Sequence, residues 1–133
     1  DFELATEHSR KVLPRSFNLG ETLAFAQNLA AFVHALESGD RDLLRRCLRD
    51  VLTEPHRASL VPGFRAAQAA ALDAGALGGC SLSGSGPSLF AVAESPEGGR
   101  DVAEAIQRAL RGAGLDSTVR LCGLDRQGAR VLP

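Results

Sequence analysis

Three features of the sequence predict an α+β domain in which an antiparallel sheet is covered by helices on one face. Several long stretches carry apolar residues at helical spacing. Two short apolar runs flank a cluster of glycine, serine and proline, a pattern typical of two strands joined by a tight turn. The chain has 133 residues, 44% of them apolar, which suits one domain with a modest core.

The first half of the chain predicts three helices. Thr6 is expected to cap a short one that ends before a proline. The second covers residues 23–36 and ends near Gly39. Because its apolar residues extend around most of the helix, we expect it to be largely buried. Asp40 is then expected to cap a third helix that runs to Leu52.

The second half of the chain mixes helices and strands. Residues 54–63 form an irregular connection with two prolines, and residues 64–74 form an alanine-rich helix. Strands are predicted at 80–82 and 89–92, and a fourth long helix at 97–110.

Two further strands are predicted from alternating polar and apolar residues, at 1–5 and 118–122, and a last short strand is predicted at 130–132. The complete order of elements is that of the split β-α-β, ferredoxin-like architecture, with extra helices in the first crossover.

Charge and composition exclude several classes of function. With 15 basic and 16 acidic residues, the chain has no strong field for nucleic acid or an anionic membrane surface. The sequence has neither a membrane-length apolar run nor a signal-peptide pattern. Cys47, Cys80 and Cys122 lack the close spacing of zinc ligands, so we expect three buried thiols in a reducing compartment, the cytoplasm. No metal site is predicted.

The chain is expected to be a piece of a longer protein. It contains no methionine and begins with Asp1. A functional site shared with an upstream domain would therefore be only partly represented here.

The segment Ser83-Gly84-Ser85-Gly86 before Pro87 carries the clearest functional pattern. Glycine permits close approach of a backbone or a ligand, and proline stiffens the turn. Successive N–H groups with serine hydroxyls can form a nest for phosphate. An ordinary glycine-serine hairpin explains the same residues, and the residues of the turn leave both interpretations open.

Several segments together resemble the homoserine kinases, members of the GHMP family of small-molecule kinases. The glycine-serine turn is similar to a motif of the whole superfamily. The more specific segments are Ser9-Arg10-Lys11-Val12-Leu13-Pro14 and Leu60-Val61-Pro62-Gly63-Phe64, and Ala71-Leu72-Asp73-Ala74-Gly75-Ala76-Leu77-Gly78 adds to the resemblance. The resemblance covers essentially the whole chain.

This resemblance implies that residues 1–133 are a C-terminal domain that works with an N-terminal nucleotide-binding domain. The implied reaction transfers the terminal phosphoryl group of ATP to L-homoserine, with Mg²⁺, on the route to threonine. The family's nucleotide loop, P-x-x-x-G-L-G-S-S-A, is absent from this sequence. We therefore expect no catalytic residue and no metal ligand in this chain, and no activity from the chain alone.

The resemblance also assigns site residues. Arg10 and Arg57 match arginines that face the substrate carboxylate, and Ser83, Gly84, Ser85 and Gly86 border the phosphate end of the site. A guanidinium suits a carboxylate because it can donate two parallel hydrogen bonds. Taken by themselves, Arg10 fits a helix-surface residue and Arg57 a loop ion pair. Ordinary structural roles are expected for Thr6 and for the histidines, His8, His34 and His56.

Two other functions stay open. Another GHMP kinase acting on a small alcohol would keep the turn but would not need both arginines. A free-standing ferredoxin-like domain would bind an amino acid and regulate another protein. The sequence also leaves open whether the protein forms a homodimer.

Overall fold

The computed structural model describes residues 4–124 and 127–131. Within this part the chain forms six α-helices, one 3-10 turn and one two-stranded antiparallel sheet. In chain order these are α1 (Thr6–Lys11), α2 (Leu19–Ser38), α3 (Arg41–Cys47), α4 (Glu54–Arg57), the 3-10 turn Ala58–Leu60, α5 (Phe64–Asp73), β1 (Leu77–Leu82), β2 (Leu89–Val92) and α6 (Pro96–Gly112). The predicted α+β class is confirmed.

The hairpin of β1 and β2 is antiparallel. Leu82 pairs with Leu89 at the turn, and Cys80 pairs with Ala91 further along. The register shifts between Leu77 and Cys80, where the sequence contains two glycines. This irregularity is typical of a β-bulge, which bends a strand locally.

The main core lies between α5, α6 and β1. Small residues on α5 allow close packing, since Ala67 and Ala71 have no exposed surface. Phe64 is almost completely buried beside them, and Val102 of α6 and Cys80 of β1 complete this layer. The glycine-serine turn therefore projects from a rigid hairpin that is anchored by its own buried face.

The strand predicted at 118–122 is wrong. This segment is in no strand, and Val119 and Leu121 are 39% and 52% exposed. The chain just before it is held to α6 instead, because Gln107 Nε2 donates a hydrogen bond of 2.8 Å to the backbone oxygen of Ser117. The strands predicted at 1–5 and 130–132 lie partly outside the described residues, and the described parts form no strand.

The prediction that the second helix is largely buried is also wrong. Only Ala35 of α2 is buried, whereas Leu19, Leu23 and Val33 are more than half exposed. The helix packs against α3 through one side only, so apolar residues on its other sides face solvent.

One of the two predicted helix caps is observed, and one predicted helix end is not. Asp40 caps α3 as expected, accepting a hydrogen bond of 2.8 Å from Leu43 N. Thr6 does not cap α1, since it is the first helical residue and Ala5 holds the cap position without a side-chain hydrogen bond. The third helix ends at Cys47 rather than at Leu52.

The predicted irregular connection contains a short helix and the 3-10 turn. Its order comes from Asp50, whose side chain accepts hydrogen bonds from the backbone N–H groups of Leu52, Thr53 and Glu54 at 2.9, 2.8 and 3.2 Å. The N–H groups of Thr53, the N-cap residue, and of Glu54, the first residue of α4, are donors that a helix start leaves without a partner.

The predictions for the thiols hold for two of the three cysteines. Cys47 and Cys80 are buried as predicted, but Cys122 is exposed because its segment does not join the sheet. Among the described residues, no helix combines the length and the apolar character needed to span a bilayer.

Candidate functional site

The glycine-serine turn is closed by its own backbone. Ser83 N donates to Ser88 O at 2.8 Å, and Gly86 N donates to Ser83 O at 3.2 Å. Gly84 and Gly86 have φ angles of 62° and 81°, which a residue with a side chain adopts only with strain. The N–H groups of Gly84 and Ser85 donate to none of the described residues, so two neighbouring donors are available at the tip, where Ser83 and Gly84 are exposed.

Helix α1 is attached to this turn. Ser9, which is fully buried, donates from Oγ to the backbone oxygen of Ser85 at 3.0 Å. The hydroxyls of Thr6 and Ser85 lie 3.4 Å apart. The helix that carries Arg10 is therefore fixed to the turn by side chains one and four residues before that arginine.

Arg57 joins three parts of the chain. Its Nε donates to the backbone oxygen of Ser9 at 3.2 Å, and its Nη1 donates to the backbone oxygen of Gly84 at 3.1 Å. The last residue of α4 thus bridges α1 and the turn. Arg57 forms no ion pair with any carboxylate in the described part of the chain.

Arg10 has a different environment. It is exposed, and it forms no side-chain hydrogen bond or ion pair with residues 4–124 or 127–131. The structure therefore brings Arg57, Ser85 and Gly84 together, whereas Arg10 is near them through its helix and not through a contact of its side chain.

A buried carboxylate lies behind this group. Glu54 is 6% exposed. Its Oε1 accepts a hydrogen bond of 2.8 Å from Gln68 Nε2, and its Oε2 accepts one of 3.3 Å from Leu82 N. Gln68 Nε2 also donates to Cys80 O at 3.0 Å. Burial, with a further contribution from the negative charge of Glu54, raises the pKa of the Cys80 thiol to about 12, so this thiol is protonated at neutral pH and is not a nucleophile.

Asp50 holds the start of α4. Burial acts to raise the pKa of its carboxyl, but hydrogen bonds from the side chain and backbone of Thr53 and from the N–H groups of Leu52 and Glu54 outweigh this effect and lower it. The carboxylate is therefore ionised at neutral pH and stays bonded to the helix start.

The histidines occupy peripheral positions. His8, His34 and His56 are exposed, and the ring of His56 meets the edge of Phe17 with centroids 6.0 Å apart. Within residues 4–124 and 127–131, no group of three or more histidine, cysteine, aspartate or glutamate side chains is arranged to hold a metal ion.

Sequence reasoning missed three residues of this arrangement: Ser9, Glu54 and Gln68. Ser9 gave no signal of its own, although it directly precedes Arg10. The signal that could have identified Glu54 is its position, since an acidic residue begins a connection between apolar helices and directly precedes a proline. Gln68 is a polar residue in an otherwise alanine-rich helix.

The family model described as GHMP kinases C terminal matches residues 32–112. The chain therefore belongs to the GHMP kinase C-terminal family.

Similar proteins include several homoserine kinases. The chain is 41% identical over 131 residues to the homoserine kinase of Chloroherpeton thalassium, covering 98% of this chain and 41% of that protein. It is 43% identical over 132 residues to the homoserine kinase of Chlorobaculum tepidum, covering 98% and 40%. The crystal structure of homoserine kinase from Cytophaga hutchinsonii has a TM-score of 0.80 and 39% identity, covering 84% of this chain and 35% of that one. The chain spans about two fifths of the length of the curated relatives it matches.

Proposed function

We propose that this chain is the C-terminal domain of an ATP-dependent homoserine kinase, an enzyme on the route to threonine. Relatives that are 41% and 43% identical over 98% of the chain bear that name. The observation that carries the substrate assignment is the position of Arg57. Its guanidinium is held against the glycine-serine turn by two backbone oxygens, and its charge is paired with no carboxylate of the described residues.

Arg57 suits the carboxylate of an amino-acid substrate. Its Nη2 donates to none of the described residues, so part of the guanidinium is free to bind a ligand. An arginine stays charged at any working pH, and its hydrogen bonds to a carboxylate are stronger than those between neutral groups. Arg10 would contribute a second positive charge from the neighbouring helix.

The glycine-serine turn would face the phosphate being transferred. The N–H groups of Gly84 and Ser85 fit this role because they are adjacent and unbonded to the described residues, and such donors bind phosphate oxygens. Ser83 and Gly86 would border the same end of the site. We assign ATP and Mg²⁺ mainly to an N-terminal domain, and no residue of this chain is proposed as a metal ligand.

The reaction itself is a phosphoryl transfer. The hydroxyl oxygen of L-homoserine forms a bond to the terminal phosphorus of ATP, the bond to ADP breaks, and the hydroxyl proton is released. Catalysis of this reaction depends chiefly on positioning and charge stabilisation. The residues of this chain would hold the substrate by its carboxylate and place its hydroxyl.

A kinetic experiment on the full-length enzyme tests the assignment. In Arg57→Ala, and separately in Arg10→Ala, the substrate would lose a hydrogen bond to a charged group, which is worth about 1.5 to 3 kcal/mol. We expect the KM for L-homoserine to rise by about 10- to 150-fold and the KM for ATP to change by less than about twofold. Arg108→Ala is the matched control, because Arg108 is exposed on α6 and, among the described residues, forms an ion pair with Glu104 alone.

A substrate without the carboxylate sharpens this test. With 3-aminopropan-1-ol in place of L-homoserine, the wild-type enzyme should be much less active, and Arg57→Ala should cause no further loss. An equal rise in the KM values for L-homoserine, 3-aminopropan-1-ol and ATP would overturn the proposal.

The two competing functions predict other outcomes. A GHMP kinase for another alcohol would phosphorylate a substrate that lacks a carboxylate as efficiently as it phosphorylates L-homoserine. A regulatory domain would bind an amino acid with no ADP release by the full-length protein. The pairing of Arg57 with the turn favours the kinase, because a carboxylate site and a phosphate site would then be adjacent.

A further inference from the structure

Two backbone groups on the outer edge of β1 are hydrogen-bonded to side chains. Ser83 N donates toward β2 at Ser88 O, so the N–H of the preceding residue, Leu82, points away from β2. Leu82 N donates to Glu54, and Cys80 O on the same edge accepts from Gln68. Since backbone polar groups that are removed from water must be paired, Glu54 and Gln68 take the place of a neighbouring strand at these two groups.

Glu54 is unusual because it is an almost completely buried acidic side chain. A carboxylate is costly to bury unless it accepts hydrogen bonds, and both of its oxygens do so. Among the described residues, the cationic atom that approaches it is Nη1 of Arg65, at 4.0 Å, and the side chain of Arg65 is 60% exposed. The hydrogen bonds, more than this distant charge, hold Glu54 in place.

The position of Glu54 in the chain connects it to the proposed site from two directions. It is the first residue of α4, and Arg57 is the last, one helical turn later. Its partner Leu82 ends β1 and directly precedes the glycine-serine turn. The Glu54 carboxylate therefore fixes both the helix that presents Arg57 and the strand end that presents Gly84, and these two residues are hydrogen-bonded to each other.

We propose that Glu54 is a positioning residue for substrate binding, which ties α4 to the end of β1 and so sets the orientation of Arg57 against the turn. This inference rests on the proposed function of Arg57. Glu54 does not touch the substrate, and its effect on activity passes through Arg57. A purely structural role would instead lower the stability of the protein without a selective effect on one substrate.

Glu54→Gln in the full-length enzyme tests this role. The side chain keeps its size, but an amide has one acceptor oxygen where the carboxylate has two, so one of the donors at Gln68 and Leu82 loses its partner. We expect the KM for L-homoserine to rise by about three- to tenfold, and the KM for ATP to stay within about twofold of wild type. Glu104→Gln, the same change at an exposed position of α6, should alter neither.

A double-mutant cycle decides whether the effect passes through Arg57. In the Arg57→Ala background, Glu54→Gln should change the KM for L-homoserine by less than about twofold, because the group that it positions is gone. If the two effects multiply, or if Glu54→Gln raises both KM values equally, the positioning role is overturned. If Arg57→Ala leaves the KM for L-homoserine unchanged, the proposed function fails first, and this outcome is distinct from failure of Glu54→Gln alone.

Amide hydrogen exchange provides a readout that needs no substrate. The N–H of Leu82 should exchange faster in Glu54→Ala, which removes both acceptor oxygens, than in wild type, whereas the N–H groups of α6 should be unchanged. Unchanged exchange at Leu82 would contradict the anchoring role. If Glu54→Gln fails to fold, Gln68→Ala decides in its place: it removes one of the two hydrogen bonds of Glu54, and a homoserine KM within about 1.5-fold of wild type would overturn the proposal.

Discussion

Asp50 and Glu54 show how single carboxylates order a segment that has no core of its own. Asp50 accepts the N–H groups at the start of α4, including that of Glu54, and Glu54 accepts the N–H at the end of β1. Hydrogen bonds of the two carboxylates thus connect the segment after α3 to α4, and α4 to the hairpin. Both are ordered because they supply acceptors to backbone donors that would otherwise be unpaired.

Replacement of Asp50 predicts a pH-dependent loss of stability. Asp50→Asn keeps one acceptor but loses the other, so it should cost about 0.5 to 2 kcal/mol at pH 7. The pKa of Asp50 is lowered on folding from its ordinary value of 3.8, so its contribution is complete above that value and is lost as the pH falls through the lower, folded-state pKa.

Thermal unfolding of wild type and Asp50→Asn, measured at pH 7 and at successively lower pH, checks this sign. The gap in Tm should be widest at pH 7 and should close below about pH 3.8. Asp101→Asn, at an exposed position of α6, is the control and should show little difference at any pH. A gap that grows in acid would contradict the role assigned to Asp50.

At the scale of elements, the helical and strand patterns predicted where the elements lie more accurately than they predicted which residues are buried. The helix α5, the hairpin strand β2 and the helix α6 lie where their apolar spacing placed them. For α2 the same pattern gave the right helix and the wrong environment, because apolar residues around a helix do not show which of them have a neighbour. The prediction for segment 118–122 failed for a related reason: alternation permits a strand, but a strand also needs a partner, and the sheet of the described residues consists of β1 and β2 alone.

Substitutions on α2 and α3 should separate exposed from buried apolar residues. Leu23 is 52% exposed and Leu44 is 6% exposed. Leu23→Gln, which keeps a good helix former, should change the free energy of unfolding of this chain by less than about 0.5 kcal/mol. Leu44→Ala should cost about 2 to 5 kcal/mol, because it leaves a cavity between α2, α3 and β1.

Urea unfolding of the two variants and the wild-type chain measures both values. Equal losses would mean that Leu23 is buried in solution, for example against a second copy of the chain. In that case the difference should depend on protein concentration, and unfolding at two concentrations would reveal it.

At the scale of the whole molecule, the candidate site is assembled from distant stretches. Ser9, Arg57 and Ser85 are connected by two hydrogen bonds, across 76 and 48 positions of sequence separation. No local pattern predicts such contacts, and the assignment of Arg10, Arg57 and the turn came from the resemblance to homoserine kinases. The residues behind the site, Glu54 and Gln68, required the structure, because their role depends on which edge of β1 they reach.

The 133-residue chain alone should fold but should have almost no kinase activity. It has its own core between α5, α6 and β1, so it should unfold cooperatively in urea. It spans 41% of the length of the Chloroherpeton homoserine kinase, and phosphoryl transfer requires both substrates to be held in line by groups from the whole site. We expect ADP release with ATP and L-homoserine to be more than about a thousandfold slower than for the full-length enzyme. A coupled assay with matched concentrations of the two proteins measures this ratio, and turnover within about tenfold of the full-length rate would show that residues 1–133 contain a complete active site.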